Sequence, residues 1–296
     1  TVIVEPLLFD CHETVLDFAR NFDRVIANTV IMLPLVLQLS LVVDVYWYIH
    51  ESQLIADEFH SNPEFVCALR QARQVWANSK RSLRYITQCT DDVRVVEYGV
   101  DAPSFCPADN AGRGQAERPA EFIVVGSYEP RKGQDLAIAG IRLLPERIRR
   151  CCRFRFFGRV LDPKFHEEIC AEAKTIPEVT IGPELTHDEC REVMQRADAI
   201  LCPSRDDSFS LVAMESIALG KVVLCTATTG VSDYIQHAYS GFVMPEGTPE
   251  MVRDGIIQCL EARADWPDMA RRGRDVLDSL FTPAAFEERI RYNLSV

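Results

Sequence analysis

Short, nearly uninterrupted apolar runs recur along this chain, each followed by a stretch of helical pattern. VYWYI (45–49), FIVV (122–125), AILC (199–202) and VVLC (222–225) show none of the alternation of a half-solvated strand. A strand that is apolar on both faces is covered on both, and strands joined through helices run parallel. Right-handed crossovers then give doubly wound α/β layers. This pattern excludes all-α and all-β folds more firmly than any other feature of the chain.

The alternation occurs twice. In the first half TVIV (1–4), RVIAN (24–28), DVYWYI (44–49), VWAN (75–78) and VRVVEYG (93–99) read as strands. Helices are expected over 12–21, 30–41, 63–71 and 79–88, with a loop between 50 and 62. From Asp101 to Ala120 the period stops in a Pro-, Ala- and Gly-rich stretch, read as a linker. Beyond it, strands at 122–126, 154–158, 179–182, 199–202 and 222–225 alternate with helices over 134–144, 164–174, 185–196, 208–220 and 248–262. A last helix opens at Thr282-Pro283. Thr186 with Glu189 three residues on makes a capping box. A chain of 296 residues exceeds one ordinary core, so two domains are expected. The boundaries are 1–105 and 121–281, joined by a linker at 106–120, with a terminal segment at 282–296 that crosses back to the first domain.

A net charge of −12 argues against a general nucleic-acid partner, which needs a broad basic face. Eleven cysteines without a CxxC pair argue for buried, reduced thiols in a cytoplasmic setting rather than a disulfide frame or zinc site. The apolar stretch Val30–Val43 holds Pro34, Gln38 and Ser40 and is too short to span a bilayer. It reads as a core helix, with peripheral contact at the inner face of a membrane as the alternative. The chain opens TVIVEPLLFD without an initiator Met, which reads either as a fragment whose true start lies upstream or as a reduced version.

Four stretches carry candidate chemistry. In PSRDDSFSLVAMESIALG (203–220), Asp207 lies in a loop after a strand, and Phe209, Ser210 and Leu211 open a helix whose first N–H groups receive anions. Asp207 either bonds ligand hydroxyls or caps the helix. Glu215, among apolar neighbours, either faces a ligand or reaches out to water. In VGSYEPRKGQD (125–135), Arg131 and Lys132 stand before a helix N-terminus, where the macrodipole disfavours cations unless an anion joins them. His50 follows the strand DVYWYI, at the edge where parallel sheets bind ligands. Thr226–Asp233 is a hydroxyl-rich turn that suits close backbone approach.

Taken together and in this order, the stretches resemble the retaining glycosyltransferases of family four. The family's glutamate-x7-glutamate motif matches PSRDDSFSLVAMES, and its strand–KG signature matches VGSYEPRKG. Tyr98-Gly99-Val100-Asp101 resembles its linker turn, WYIHES its histidine-bearing strand end, and Asn78-Ser79 a polar pair after a strand. The resemblance implies an α/β architecture of two doubly wound Rossmann-like domains facing a cleft (GT-B). The first domain is acceptor-side and incomplete, since no glycine precedes Gly99. The second binds the donor.

It implies that His50, Lys132, Asp207 and Glu215 are catalytic. Lys132 and Arg131 meet the donor diphosphate, and Asp207 and His50 the sugar. Glu215 holds the ribose, and the loop from Val179 to Leu185 lies beside the base. Gly126, Ser127 and the N–H groups of Phe209, Ser210 and Leu211 complete the donor contacts. Asp207 stands where the family has glutamate, and Ser127 where many members have arginine. The implied reaction moves a sugar from a UDP- or GDP-linked donor to a carbohydrate or glycolipid acceptor, with no cofactor and no metal. A nucleotide-sugar-binding segment of a larger multidomain protein and a sugar epimerase of the same fold are the alternatives.

Overall fold

The computed structural model describes residues 12–102 and 118–295. The strand expected at 1–4 and the linker from 106 to 117 lie outside these residues. The chain divides into two compact units, Thr1–Glu97 and Tyr98–Val296.

The first unit holds α1 (His12–Ala19), β1 (Arg24–Asn28), α2 (Leu33–Leu39), β2 (Asp44–Ile49), α3 (Gln53–Ser61), α4 (Pro63–Gln71), β3 (Gln74–Ala77), α5 (Lys80–Ile86) and β4 (Val93–Val95). Its sheet runs β1-β2-β3-β4, every pair parallel, with Ala27 opposite Trp47 and Tyr48 opposite Trp76. Strand β2 is buried at every position after Asp44. Trp47, Ile49, Ile55, Phe65 and Val36 form the core beneath it.

The helix expected over 30–41 opens instead as a 3-10 turn, Val30–Met32, and becomes α-helical at Leu33. Pro34 lacks the N–H that an uninterrupted helix needs, so the α-helix starts around it. Leu33, Val36 and Leu39 bury one face of α2, which accounts for the apolar stretch by packing. Among the described residues, no helix is long and apolar enough to cross a membrane. The expected loop at 50–62 holds a second correction: Gln53–Ser61 is helical, and Asn62 ends it while capping α4 through the Glu64 N–H at 3.1 Å.

The second unit holds β5 (Ala120–Val125), α6 (Gln134–Leu143), α7 (Glu146–Arg149), β6 (Cys152–Phe157), α8 (Pro163–Ala173), β7 (Val179–Ile181), α9 (His187–Arg196), β8 (Ala199–Cys202), α10 (Leu211–Ala218), β9 (Val222–Thr226), β10 (Phe242–Met244), α11 (Pro249–Glu261), α12 (Trp266–Leu280) and α13 (Pro283–Ser295). Its six strands are parallel in the order β10-β9-β8-β5-β6-β7. Strand β5 therefore pairs with both β6 and β8, and the sheet reverses its winding there.

Alternate residues of each strand feed opposite faces. Phe122, Val124, Phe154, Phe156, Leu201 and Leu224 fill one core, while Ile123, Phe157, Ile200, Val223 and Cys225 fill the other. The described cysteines are all free. Burial pushes the Cys152 and Cys202 thiols up to about 12, as expected of inert core thiols, but Cys67 and Cys151 are exposed, where buried thiols were expected.

Caps define the helix starts. Asp162 accepts from the Phe165 N–H at 3.0 Å and Thr248 from the Met251 N–H at 3.3 Å, and the Thr186–Glu189 box is formed. The long helix α12 and strand β10 were not expected. Arg274, 8% exposed, anchors α12 by donating to the Ala218 carbonyl at 2.8 Å, one of the acceptors that α10 leaves open at its end.

Phe122 and Phe154 stack at 5.3 Å between β5 and β6, and both are fully buried. Phe154→Ala is expected to lower the unfolding free energy of the second unit by about 3–5 kcal/mol. Hydrogen exchange of the β5 and β6 amides under increasing urea measures this.

Candidate active site

The reversal between β5 and β8 sends two loops apart from one sheet edge, and ligands bind outside such carboxyl ends. Here the loops are instead drawn onto each other by backbone contact. Gly133 has φ 68°, and a Cβ there would lie 2.1 Å from the Pro203 carbonyl oxygen. Only glycine fits a left-handed position so close to another backbone. The Arg205 N–H donates to the Arg131 carbonyl at 2.9 Å, and its guanidinium to the Pro130 carbonyl at 2.6 Å.

This packing delivers Lys132 to Asp207. The Lys132 stem crosses Gly126, where an added Cβ would sit 3.6 Å from its Cγ and Cδ. Its Nζ lies 2.7 Å from Asp207 Oδ2. The other oxygen, Oδ1, accepts from the Ser210 N–H at 3.0 Å and the Phe209 N–H at 3.4 Å. Asp207 is 7% exposed. Its carboxylate thus holds the lysine and two of the N–H groups assigned to a ligand phosphate. These bonds close a turn ahead of α10, whose own N-cap position, Ser210, receives no side-chain cap.

Ser210 has φ 69° and ψ 85°, a left-handed conformation that costs about 1–2 kcal/mol in a non-glycine residue. The bond to Asp207 holds it from one side. Phe209, buried against Tyr98 at 5.6 Å and Phe281 at 5.5 Å, holds it from the other. Leu211, the first residue of α10, is half exposed. The turn at Tyr98–Asp101 belongs to the same packing, since the Val100 N–H donates to the Phe281 carbonyl at 2.7 Å.

The stretch Thr226–Asp233 backs the site. The Asp207 N–H donates to the Thr228 carbonyl at 3.1 Å, and the Asp207 carbonyl accepts from Gly230 at 2.8 Å. A Cβ at Gly230 would lie 1.8 Å from the Ser208 carbonyl oxygen. Thr226 and Thr228 both donate their hydroxyls to the Ser204 carbonyl.

Glu215 lies one turn along α10 and is partly buried, with a side chain 32% exposed. His187, at the start of α9, brings Nε2 to 3.6 Å from Glu215 Oε1. Nearby, the Tyr128 hydroxyl donates to the Gly182 carbonyl at 2.7 Å, tying the loop after β5 to the loop after β7. Among the described residues, no group of three or more His, Cys, Asp or Glu could hold a metal ion.

Two residues that the sequence reading passed over organise the loop after β5. Gln134, 1% exposed, donates to the Ser127 carbonyl at 2.8 Å and the Gly126 carbonyl at 3.3 Å. Glu129 accepts from the Ser127 hydroxyl at 2.6 Å and from Arg131 at 2.9 Å. A count of charges within VGSYEPRKG would have flagged Glu129 as the partner of Arg131. Gln134 had no such signal.

His50 follows β2 in the first unit. Its Nε2 lies 3.2 Å from Asn28 Oδ1, and its ring lies 4.3 Å from that of Tyr48. Burial lowers the imidazole to about 4, so it is neutral at pH 7. The next residue, Glu51, accepts from the Val30 and His50 N–H groups at 3.0 Å each, and burial raises its carboxyl. Thr29 between them has φ 70° and ψ 160°, a region almost confined to glycine. Asn78 donates to the His50 carbonyl at 3.3 Å, and Ser82 to the Glu51 carbonyl at 2.6 Å. Asn78 and Ser79 are buried, and Ser79 caps α5.

Comparison with known proteins gives a consistent result. Residues 108–276 match the family described as glycosyl transferases group 1. The D-inositol 3-phosphate glycosyltransferase of Acidothermus cellulolyticus is 26% identical over 204 residues, 65% of this chain and 46% of that protein. The enzyme of the same description from Mycobacteroides abscessus is 30% identical over 174 residues, 57% of this chain and 39% of that one. The matches span less than half the length of these relatives. Among solved structures, Anabaena Alr3699/HepE in complex with UDP-glucose aligns with a TM-score of 0.79 at 20% identity, covering 98% of this chain and 84% of that one. Sucrose-phosphate synthase from Thermosynechococcus elongatus aligns with a TM-score of 0.77 at 17% identity, covering 99% and 80%. The shared fold is GT-B, as expected.

The His50 environment makes a prediction about acid. Its folded value of about 4 lies below the ordinary 6.5, so the unfolded chain binds the proton first. The first unit should keep this contribution above pH 6.5 and lose it progressively as pH falls toward 4. Urea unfolding from pH 7.5 to 4.5 should show that slope, and His50→Gln should remove its part of it.

Proposed function

Because the chain belongs to the group 1 glycosyl transferases, we propose that it moves a sugar from a nucleoside-diphosphate sugar to an acceptor hydroxyl with the anomeric configuration kept. The observation that carries this reading is the convergence of Lys132 and the Phe209–Ser210 turn at the carboxyl edge of β5 and β8. The ammonium attracts a phosphate oxygen, which would share it with Asp207, and the N-terminus of α10 follows directly. Solved structures of the same fold described as complexes with UDP and with UDP-glucose support it.

The barrier is the negative charge that develops on the departing diphosphate. In this reading Lys132 and the N-terminus of α10 stabilise that charge, already oriented before the bond breaks. No metal ion is called for. Glu215 accepts hydrogen bonds from the ribose hydroxyls, and the loop from Val179 to Leu185 lies beside the base. His50 takes part as a neutral imidazole. No side chain acts as a covalent nucleophile, and the departing diphosphate itself takes the acceptor's proton. The free thiols among the described residues, two of them exposed, fit a reducing, cytoplasmic setting.

A second reading has one observation in its favour, the greater length of the relatives. The chain would then bind the nucleotide sugar as a segment of a larger protein. Binding of a nucleoside diphosphate without product from any acceptor would select it.

Lys132→Ala and Glu215→Ala should each reduce donor turnover by about 100-fold or more. The measurement is donor hydrolysis and transfer under saturating acceptor, with the product anomer assigned by NMR. Unchanged rates in both variants would overturn the assignment.

A further inference from the structure

We infer that Asp207 makes this site prefer a sugar-esterified nucleoside diphosphate over the free nucleoside diphosphate left after transfer. The inference rests on the function proposed above and assigns Asp207 a selecting role in that reaction.

Three cations line the joined loops, and each already has its own carboxylate. Lys132 pairs with Asp207 at 2.7 Å, Arg131 with Glu129 at 2.9 Å and Arg205 with Asp135 at 2.6 Å. With Asp206 counted as well, four carboxylates face three cations, so an incoming diphosphate meets no surplus of positive charge. It has to share Lys132 with Asp207. The carboxylate cannot easily withdraw, because Oδ1 holds the Phe209 and Ser210 N–H groups only two and three residues ahead. An aspartate is short enough to bond back onto its own turn in this way. Where a cation would otherwise stand after the strand, Ser127 is neutral and donates to Glu129.

The two ligands differ in charge at the atom that matters. Esterified to a sugar, the terminal phosphate carries a single negative charge. Once the sugar leaves, it gains a second as its last proton is lost at about pH 6. That added charge falls beside a buried carboxylate that shares the same ammonium. Asp207 therefore penalises the product more than the donor, which favours product release.

Calorimetry with UDP, UDP-glucose, GDP and GDP-mannose tests this on the wild type, Asp207→Asn and Asp207→Ser. Serine keeps a short acceptor for the Ser210 N–H, and thermal melts report whether each variant is folded. Removing the carboxylate should tighten the free diphosphate about tenfold and the sugar nucleotide at most about threefold. On the wild type alone, the terminal methyl ester of UDP, which has one charge fewer and no sugar, should bind severalfold tighter than UDP.

Equal weakening of both ligand types in the variants would make Asp207 a structural clamp and overturn the inference. Weakening of the sugar nucleotide alone would make it a reader of sugar hydroxyls and overturn it too. A methyl ester no tighter than UDP has the same result without any variant. If the wild type binds none of the four ligands, the proposed function itself fails.

Discussion

The Lys132–Asp207 ion pair is the interaction on which the second unit's site depends. It joins the loop after β5 to the loop after β8, and it is partly buried, with side chains 21% and 10% exposed. Losing one member of such a pair leaves the other charge poorly solvated. The pair forms because the backbones beneath it touch. Gly133 lies against Pro203 and Gly230 against Ser208, at distances that exclude a side chain. These two contacts place Asp207 and its turn between supports on both sides. The strain at Ser210 is tolerated because Phe209, one residue earlier, is sunk in the core.

Strand order explains why these loops are neighbours at all. In β10-β9-β8-β5-β6-β7, the two strands on either side of the reversal are far apart in sequence and adjacent in space. The loops of β6 and β7 stand on the far side of the loop after β5, which the Tyr128–Gly182 bond holds to them. Gln134 keeps that loop closed from below by bonding two consecutive carbonyls. The joined loops are therefore braced from both sides, and Arg131, Lys132 and Arg205 are each paired with a carboxylate.

Much of this was legible in the residues. DVYWYI, the helix Pro63–Gln71 and AILC occur within the bounds expected, because strands buried on both faces and helices with Asn-Pro starts leave unambiguous local patterns, and RVIAN does so although only Ala27 in it is buried. Four elements escaped, the four-residue helix α7 among them. The helix α12 is strongly amphipathic, but its Arg-rich face hid the apolar stripe of Trp266, Met269, Ala270 and Leu277. Strand β10 is three residues long and follows a turn-rich stretch. The helix α3 was masked by the loop expected after β2. In the candidate site, residue types and neighbourhoods were readable, and their bonding was not. A local motif cannot show that Asp207 turns back onto its own N–H groups while reaching a lysine in another loop. Nor can it show that Asn78 and Ser82 brace the carbonyls of His50 and Glu51, since those bonds span 28 and 31 residues.

The separation of Lys132 from Asp207, 75 residues along the chain, also has a temporal meaning. At about 5–20 residues per second, a ribosome delivers the lysine roughly 4–15 s before its partner. During that interval β5, α6 and β6 can already associate through adjacent strands, but β5 has a vacant edge where β8 will pair. The nascent chain thus presents an open strand and a cationic loop on the same side. Both are covered in a single event, when β8 docks and carries Asp207 into place. Completion of the sheet and neutralisation of the loop are one step of folding, so a chain halted before β8 would be exposed to mispairing and to polyanions at the same edge.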